Sequence, residues 1–428
     1  MKIFCSGIGG IGLSAYAALQ RHAGHAVSGS DRSRSPLTDD LESQGIRVFF
    51  DQSGEAVPSD CELLVYSEAI PESAPERIKA KAMNIPQWSY PQALGELSKD
   101  SFVIAVCGSH GKSSTTGMAT RFLLECGIDP TIVVGTKLKE LNGRNWRKGT
   151  DKYFLLEACE YRRSFLNYHP NIILLTNADG DHFDYFSSID DYHSAFKDFV
   201  SRLPADGSLI IHGTDPDSAE IAKSTRAKVI DADQFPLIAL KTPGEHMRKN
   251  AQLVLAMAST FAAIEAKNAE VAISGYAGSW RRLEMKGERQ GGVTVIDDYA
   301  HHPKEIRASL AALKEAYPNR RLVCVFQPHT HDRTIKLYNE FLESFTDTDL
   351  IVLTSVYDAR HDTESEFVNM PTFSKDLAEK SGKEVQLVQS LAEAEKVLTS
   401  SILRPGDVVV CMGAGDITGL AGTLVNSR

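Results

Sequence analysis

Short apolar runs alternate with amphipathic stretches over the first quarter of the chain. The segments "MKIFCSG", "AVSGSD" and "ELLVYSEAI" predict strands, and "GIGLSAYAALQRHAG" and "APERIKAKAM" predict helices. Strands that alternate with helices in this way form βαβ units, in which the strands are parallel. The pattern therefore predicts an α/β domain with a parallel sheet over residues 1–98.

The same alternation restarts twice further along the chain. The segment "SFVIAVCGSHGKSSTTGMATRFLLEC" joins a strongly apolar strand to a glycine loop and a helix, and "KYFLLEACE", "NIILLTNAD" and "GSLIIHG" predict further strands. After the helical segment "NAQLVLAMASTFAAIEA", a third set of strands follows in "GGVTVIDDYA", "RLVCVFQPH", "DLIVLTSVY" and "DVVVCMGAG". We expect three α/β domains, at residues 1–98, 99–276 and 277–428.

Composition and charge narrow the class of protein. The 428 residues are 42% hydrophobic and 24% charged, as in globular proteins with a sizeable core. A formal net charge of −10 excludes a general affinity for nucleic acid or anionic membranes, but it permits phosphate binding at local sites built from backbone N–H groups. Seven cysteines without a C-x-x-C pair, and the lack of an apolar run of about 18 residues, favour a cytoplasmic protein. We expect small-molecule substrates, no nucleic acid, no membrane, and a monomer or weak homodimer.

The first glycine loop, Gly7-Ile8-Gly9-Gly10-Ile11-Gly12, fits the pattern G-x-G-x-x-G between a predicted strand and a predicted helix. Glycines let main-chain N–H groups approach a diphosphate at a helix N-terminus, and Asp31, which ends the next strand, can accept a hydrogen bond from a ribose hydroxyl. Three interpretations stay open: an NAD site, a site for another nucleotide or sugar nucleotide, and a tight structural turn. The small size of this first domain weighs against NAD in particular.

The second glycine loop, "GSHGKSS" at residues 108–114, follows a strand that ends at Cys107. It lacks the first glycine of the longer phosphate-loop pattern G-x-x-x-x-G-K-[ST], because Val106 occupies that place, but it keeps the Gly-Lys-Ser core. Its N–H groups would surround an anion, Lys112 would reach the β- and γ-phosphates, and Ser113 would bind Mg²⁺. The alternative is a serine-rich helix cap with a solvated lysine. The candidate ATP-binding residues are Gly108, Ser109, His110, Gly111, Lys112, Ser113 and Ser114.

Two more strands end in groups that suit a metal–phosphate site. Glu157 lies in the strand end "YFLLEACE", and "TNADGDHFDYF" supplies Asn177, Asp181, His182 and Asp184 after the next strand. A histidine such as His182 is by itself more typical of a structural role. Beside a carboxylate and a phosphate loop on neighbouring strands, it becomes a candidate metal ligand.

These motifs, and their order, resemble the Mur ligase family. The matching segments are "GSHGKSST", "EACE", "TNADGDHFDYF", "PGEHMRKNA", "RRLE" and "IDDYAHHP". The resemblance implies an α/β protein of three domains, which are N-terminal Rossmann-like, central P-loop ATPase-like and C-terminal Rossmann-like. The segments "GIGGIG", "IDDYAHHPKEIRASL", "FQPHTHDRT" and "GAGDI" are most similar to the branch that joins L-alanine to the lactyl carboxylate of UDP-N-acetylmuramate. That reaction consumes ATP and passes through an acyl phosphate.

The resemblance also implies a role for particular residues. It assigns UDP-N-acetylmuramate to the first domain, ATP with Mg²⁺ to the second and L-alanine to the third. The implied catalytic residues are Lys112, Glu157, His182, Arg282 and Asp298, and the implied Mg²⁺ ligands are Ser113, Glu157 and His182. Further ATP contacts would come from His246, Asn250 and Arg282. The implied substrate-binding residues are Gly9, Gly10, Ile11, Gly12, Asp31 and Ser67 for the nucleotide, and Tyr299, His301 and Arg333 for L-alanine.

Three positions depart from the family pattern. Met247 replaces an asparagine next to His246, Thr330 replaces a frequent arginine after "FQPH", and Cys159 interrupts an acidic triplet. His301 is a candidate base for the amine of alanine, with a purely pocket-shaping role as the alternative. The alternative functions are a murein-recycling ligase that adds a tripeptide to the same nucleotide, an NAD-dependent oxidoreductase, and a non-catalytic ATP-binding switch.

Overall fold

A computed structural model of the protein describes residues 1–182, 185–357 and 367–426. The chain forms two compact units. The first contains Met1–Ile238 and Asn250–Tyr276, and the second contains Ala239–Lys249 and the described part of Ala277–Arg428. The first predicted domain and most of the second thus share one unit. The limits of the three domains stay a prediction.

The first sheet lies in the first unit and is parallel throughout. Its strands are β1 (Lys2–Ser6), β2 (Ala26–Ser30), β3 (Arg47–Phe49), β4 (Leu63–Tyr66) and β5 (Gln87–Ser89). Its helices are α1 (Ile11–His22), α2 (Pro36–Ser43), α3 (Pro75–Ala82) and α4 (Tyr90–Ser98). The strand order is β3-β2-β1-β4-β5. The last helix begins with a capping box, in which Ser89 and Gln92 each bond the backbone N–H of the other.

The second sheet lies in the same unit. Its strands are β6 (Phe102–Cys107), β7 (Thr131–Leu138), β8 (Arg144–Arg147), β9 (Tyr153–Glu157), β10 (Ile172–Leu175), β11 (Ser208–Ile211) and β12 (Lys228–Asp231). The helices that follow are α5 (Lys112–Glu125), α6 (Ile189–Val200), α7 (Pro216–Ala222), α8 (Glu245–Ala258) and α9 (Ala266–Ser274). The strand order is β12-β11-β10-β6-β9-β7-β8, and only the β7–β8 pairing is antiparallel.

The order of this sheet determines where functional groups meet. Strand β6 lies between β10 and β9, and the three strands are parallel. The loops that leave their carboxyl ends therefore lie side by side, at the kind of switch point where open α/β sheets bind ligands. The central strands β6 and β10 are almost wholly buried, which explains why both read as continuous apolar runs.

The third sheet forms the core of the second unit. Its strands are β13 (Glu284–Arg289), β14 (Val293–Asp298), β15 (Leu322–Phe326), β16 (Leu350–Leu353), β17 (Glu384–Leu387) and β18 (Val408–Met412). Its helices are α10 (Pro303–Ala316), α11 (His331–Lys336), α12 (Tyr338–Leu342), α13 (Met370–Ser381), α14 (Leu391–Val397) and α15 (Thr418–Asn426). The order is β13-β14-β18-β15-β16-β17, and β13 alone runs antiparallel to its neighbour.

The three-domain α/β class predicted from the pattern is confirmed, and one predicted element is wrong in extent. The helix expected over "NAQLVLAMASTFAAIEA" ends early, because α8 stops at Ala258 and the next helix, α9, begins only at Ala266, the last residue of that segment. The hydroxyls of Ser259 and Thr260 donate to the carbonyls of Ala256 and Met257 at the end of α8, which competes with continuation of the helix. Within the described ranges, no helix is long and apolar enough to cross a membrane.

Candidate active site

The second glycine loop connects β6 to α5, with Gly108 and Gly111 at φ values of +135° and +84°. Residues that follow β10 fix its backbone: Ser109 N donates to Asn177 O at 3.1 Å, and the Asn177 side chain accepts from His110 N and donates to His110 O, each at 3.1 Å. Helix α5 has Gly111 as its N-cap and no side-chain cap. The serine-rich cap considered as an alternative is therefore absent, and the first turn of α5 presents the N–H groups that an anion would use.

Lys112 folds back over this loop. Its Nζ donates to Gly108 O at 2.5 Å and to Ser109 O at 3.0 Å, and it lies 2.9 Å from Oε2 of the fully buried Glu160. Burial by itself would lower the pKa of Lys112, but the negative charges around it, that of the Glu160 carboxylate first, together outweigh burial and raise the pKa above its usual range. Because the side chain is only 13% exposed, the alternative of a solvated lysine is wrong.

Ser113 and Glu157 form an oxygen pair beside the loop. Ser113 Oγ donates to Glu157 Oε1 at 3.0 Å, and Glu157 Oε2 accepts from Gly135 N at 2.9 Å. Hydroxyl and carboxylate oxygens are hard ligands of the kind that Mg²⁺ prefers, and Mg²⁺ normally takes few protein ligands together with phosphate oxygens and water. The residues therefore fit a magnesium–nucleotide site.

His182 lies in the loop after β10 with φ +56°. Its Nε2 is 3.7 Å from Glu160 Oε1, its ring packs on Tyr161 at 4.7 Å between centroids, and its Nδ1 is buried without a hydrogen-bond partner among the described residues. In that same part of the chain, no group of three or more His, Cys, Asp or Glu residues is gathered as a metal site. Asp184 lies outside the described residues, and a metal-binding role for His182 stays a prediction.

Glu160 is the residue of this site that the sequence reasoning missed. Its carboxylate contacts Lys112 and His182, and it accepts from Tyr192 OH at 3.5 Å. Tyr192 is also 2.7 Å from Ser109 Oγ, so α6 reaches the glycine loop through this tyrosine. The motif "EACE" could have indicated Glu160. This residue follows the candidate metal ligand Glu157 by three residues, and a carboxylate that is buried there needs a cation as its partner.

The chain makes a strained turn directly after Glu160. Arg162 and Arg163 both have left-handed backbone conformations, at φ/ψ of 52°/27° and 55°/28°. Each such residue costs roughly 1–2 kcal/mol when it carries a Cβ atom. Arg163 holds the turn through hydrogen bonds to Asp191 Oδ1 at 2.7 Å, Ser194 Oγ at 2.9 Å and Asp198 Oδ2 at 3.1 Å on α6.

The first glycine loop is held by the groups around it. Gly9 N donates to Asp31 Oδ2 at 2.8 Å, so Asp31 stabilises the loop from the end of β2. Helix α1 begins after Gly10, which offers no side-chain cap, and its first N–H groups suit an anion. Ser67 lies beside the loop at the end of β4, where its N–H donates to Ser6 O at 3.0 Å.

Within the first unit, Tyr90 lies between the first glycine loop and the candidate ATP site. A Cβ atom at Gly12 would lie 2.7 Å from the Tyr90 ring, so only glycine allows α1 this close to the tyrosine. Burial, and then the charge of Glu157, raises the pKa of Tyr90. On the same side, Asn145 Nδ2 donates to Ile11 O at 2.5 Å. The two predicted phosphate-binding loops therefore lie close to one another.

In the second unit, the two arginines of the "RRLE" segment, Arg281 and Arg282, have different surroundings. Arg281 is 4% exposed and acts structurally, since it contacts Asp297 at 3.4 Å and donates to the carbonyls of Gly413 and Gly415. Arg282 is more accessible. It lies 3.6 Å from Glu305 and over the Tyr299 ring at 5.1 Å.

Asp298 ends β14 in a fully buried position. Burial raises the pKa of its carboxyl to about 6, against the opposing effect of hydrogen bonds from Ser309 and the Ala300 N–H. Because the folded pKa lies above the ordinary value of 3.8, the stabilising contribution of Asp298 is complete below about pH 4. It is lost as the pH rises through about 6.

Asp298→Asn should therefore become more stable relative to the native chain as the pH rises from about 4 to about 7, by on the order of 3 kcal/mol. The reason is that asparagine keeps the hydrogen bonds but has no charge to bury. The measurement is thermal unfolding of both proteins in a series of buffers. A difference in melting temperature that does not change with pH would contradict the assignment.

The residues predicted to surround L-alanine lie together at the carboxyl ends of β14 and β15. The rings of Tyr299 and His301 are 5.1 Å apart, and His301 is 5.7 Å from His329. Arg333 Nη1 lies 3.5 Å from His329 Nδ1, and the Tyr357 ring stacks on His329 at 5.9 Å. His329 and Tyr357 were missed from the sequence, although His329 stands in the quoted segment "FQPHTHDRT".

Two of the further predicted ATP contacts, His246 and Asn250, belong to different units. His246 belongs to the second unit, where burial and then Arg282 lower its pKa to about 4, so its imidazole is neutral at physiological pH. Asn250 belongs to the first unit, where a Cβ atom at Gly111 would lie 2.8 Å from its Oδ1. Their role in binding ATP stays a prediction.

Gly108→Ala is expected to destabilise the first unit and to weaken nucleotide binding. A Cβ atom there would overlap Thr176 Oγ1 and lie 2.8 Å from Asn177 O, at a φ value that already disfavours alanine. We expect a loss of roughly 1–3 kcal/mol in the free energy of unfolding. Urea denaturation and ATP titration measure the two effects. The matched control is Gly127→Ala, which shares a positive φ of +78° but has open space around it, so ATP binding should be retained. Equal effects at both positions would contradict the prediction.

Comparison with known proteins identifies the family of the chain. Three family models match consecutive parts of the chain: "Mur ligase family, catalytic domain" at residues 2–102, "Mur ligase middle domain" at 106–236 and "Mur ligase, glutamate ligase domain" at 281–415. A UDP-N-acetylmuramate–L-alanine ligase from Lachnospira eligens is 37% identical over 96% of this chain and 95% of its own length. Its counterpart from Clostridium novyi (strain NT) is 35% identical over 97% and 95%.

A solved structure extends the likeness to the fold. The crystal structure of a UDP-N-acetylmuramate-alanine ligase from Thermotoga maritima superposes with a TM-score of 0.82 at 27% identity, and the match covers 100% of this chain and 98% of that one. Identity above 30% along nearly the whole length, together with three family domains in their order, shows that the chain belongs to the Mur ligase family.

Proposed function

We propose that the protein is an ATP-dependent ligase that joins L-alanine to the lactyl carboxylate of UDP-N-acetylmuramate, a step in peptidoglycan precursor synthesis. The observation that carries the proposal is the full-length identity of 35–37% to relatives named for this reaction. The juxtaposed Lys112, Ser113 and Glu157 support the ATP-dependent part, since a ligase must hold and activate a triphosphate. The cytoplasm is the proposed location.

The first glycine loop would bind the diphosphate of the muramate nucleotide. The N–H groups at the start of α1 have no side-chain cap, and Asp31 fixes the loop around Gly9. This arrangement suits a sugar nucleotide as well as a dinucleotide, because both present a diphosphate to the helix. Tyr90 lies against Gly12 and is affected by the charge of Glu157, and this link between the two loops favours a substrate that must reach ATP.

The second loop would hold ATP. Ser113 and Glu157 are the proposed ligands of Mg²⁺, which supplies charge neutralisation between phosphate oxygens when bound. Lys112 would exchange its contacts with Gly108 O and Ser109 O for oxygens of the β- and γ-phosphates. A role for Arg282 in ATP binding stays a prediction. His182 as ligand of a second Mg²⁺ stays a prediction.

The chemistry then takes two steps. The lactyl carboxylate attacks the γ-phosphorus, the bond to the β-phosphate oxygen breaks, and ADP leaves behind an acyl phosphate. Because two anions must meet, Lys112 contributes by reducing their repulsion and by aligning the attack. The neutral amine of alanine next attacks the acyl carbon, and inorganic phosphate is expelled as the amide forms.

The cluster at the ends of β14 and β15 would bind the amino acid. Arg333 is the proposed partner of the alanine carboxylate. His301 Nδ1 lies 3.0 Å from Tyr299 O and 3.4 Å from Glu305 Oε2. Both partners accept hydrogen bonds and so favour a proton on Nδ1, which leaves Nε2 as an acceptor for a proton from the amine. For the attack of the alanine amine on the acyl phosphate, Arg333 would thus bind the alanine carboxylate and His301 would act as the base.

The deciding assay measures phosphate release with ATP, UDP-N-acetylmuramate and each of the twenty amino acids in turn. We expect release to require the nucleotide and to be fastest with L-alanine. Faster release with the murein tripeptide would instead establish the recycling ligase. Enhanced nicotinamide fluorescence on titration, without phosphate release, would support an oxidoreductase and overturn the proposal.

A further inference from the structure

Arg162 lies where the two phosphate-binding loops of the first unit approach each other. It follows Glu160, the partner of Lys112, by two residues. Its Nη1 lies 3.3 Å from Glu68 O and 3.7 Å from Glu68 Oε2. Glu68 follows Ser67, which packs against Gly7 of the first loop. Arg162 thus carries a positive charge along the path that joins the nucleotide loop to the ATP loop.

The conformation of Arg162 is imposed by its neighbours. Arg163 is anchored to three residues of α6, and Phe165 is fully buried against Phe199, with 4.4 Å between ring centroids. These anchors keep two consecutive arginines in the left-handed region, where residues with a Cβ atom are unfavourable. Strain of this kind persists only where the surroundings overdetermine it, and it is concentrated at binding and catalytic sites.

The present partner of Arg162 is easily exchanged. The Arg162 side chain is 48% exposed and that of Glu68 is 35% exposed. Exposed ion pairs contribute little to stability, so an incoming anion displaces Glu68 at small cost. Arg163 differs, because it is less exposed and has several partners on a single helix. Arg163 therefore anchors the turn, whereas the contact of Arg162 with Glu68 can be replaced.

We propose that Arg162 binds the lactyl carboxylate of the muramate nucleotide in place of Glu68, and so aligns that carboxylate with the ATP loop. This inference rests on the proposed function. The diphosphate has the N–H groups of the first loop as partners, whereas the carboxylate needs a cation further toward Lys112. The Arg162 guanidinium already lies 3.7 Å from a carboxylate oxygen, and its planar group of N–H donors can bind a carboxylate through two hydrogen bonds.

The test compares two ligands that differ in the carboxylate. UDP-N-acetylmuramate and UDP-N-acetylglucosamine share the nucleotide, the diphosphate and the sugar ring, but only the first carries a lactyl group. Binding of each is measured by calorimetry to the native chain, Arg162→Gly, Arg162→Gln and Arg162→Lys. Glycine relieves the left-handed strain, so Arg162→Gly should have an unchanged or higher melting temperature.

We expect both Arg162→Gly and Arg162→Gln to bind UDP-N-acetylmuramate at least 10-fold more weakly, with unchanged affinity for UDP-N-acetylglucosamine and an unchanged KM for ATP. Arg162→Lys should recover part of the loss. Glu68→Gln should act in the opposite direction and tighten UDP-N-acetylmuramate binding several-fold, because it removes the competing carboxylate. The matched control is Arg147→Gln, which removes an exposed arginine paired with Asp129 beyond the far end of α5. It should leave both affinities unchanged.

Folded variants that bind UDP-N-acetylmuramate as tightly as the native chain would overturn the inference. Equal weakening for both ligands would also overturn it and assign Arg162 to the diphosphate. A native chain that binds neither ligand contradicts the proposed function itself, and that result is visible before any variant is made.

Discussion

Lys112→Ala is expected to abolish amide formation while the muramate nucleotide still binds. Lys112 is the cation at the loop that would contact the transferred phosphate, and removing one such stabilising group typically lowers the rate by about 10²–10³-fold. The nucleotide loop around Gly9 and Asp31 does not depend on Lys112 for any of its hydrogen bonds. Phosphate release measures the first effect, and calorimetric titration with UDP-N-acetylmuramate measures the second.

This variant needs a control for stability. Glu160 is fully buried, and removal of Lys112 leaves its charge without a cation, which costs about 3–5 kcal/mol in comparable buried pairs. The double variant Lys112→Ala/Glu160→Gln removes both charges and should regain much of that loss. It should remain inactive. Native-like turnover in either variant would contradict the role of Lys112 in phosphoryl transfer.

The residues that follow the central strands could be predicted as a site from the sequence, because the buried strands before them are recognisable as apolar runs. Strands β6 and β10 are apolar on both faces, so the polar groups that follow them stand out. Glycines at 108 and 111 mark positions of positive φ, and the order of the motifs relates them to a known family. Lys112, Ser113 and Glu157 were therefore predicted as one site, and the structure brings them together.

Edge strands were harder to predict for a physical reason. Strands β12 and β17 lie at the edges of their sheets and are largely exposed or half-buried, so they lack a continuous apolar signal. Strands β3 and β5 have only three residues each. Strand β7 contains Gly135, which approaches Glu157 closely and breaks the run of apolar residues. Such strands are defined by the neighbour they pair with, which a single sequence does not display.

The missed site residues depend on contacts that are distant in the sequence. Glu160 is buried because Tyr192 and His182 cover it from later segments. The left-handed backbone of Arg162 results from anchors on α6, whereas isolated propensity would place glycine or asparagine there. Tyr357 joins the alanine cluster through its stacking on His329, a contact between two different strand ends. Tertiary contacts of this kind override local preferences.

Glu160→Gln should make catalysis sensitive to alkaline pH. In the native chain burial lowers the pKa of Lys112, whereas the negative charges around it, that of the Glu160 carboxylate first, raise it. Without that carboxylate burial is opposed less strongly, and the pKa of Lys112 falls. As the pH rises, Lys112 of the variant should then lose its proton and the variant should lose activity. The activity of the native enzyme should stay constant over the same pH range.

The pH profile of kcat, measured from about pH 6 to pH 10, separates this electrostatic role from a purely structural one. Loss of stability alone lowers activity at every pH, whereas deprotonation of Lys112 adds a descending limb on the alkaline side only. The matched control is Asp407→Asn, which removes a carboxylate that is 4% exposed and paired with Arg321 in the second unit. It should destabilise the protein without changing the shape of the profile.

A second substitution decides whether the limb belongs to Lys112. Arginine stays protonated throughout this range, so Lys112→Arg/Glu160→Gln should show a flat profile, even if its maximal rate is low. A descending limb that persists with arginine would assign the ionisation to another group. A profile unchanged by Glu160→Gln would show that Lys112 keeps its proton without Glu160, and the buried carboxylate would then serve stability alone.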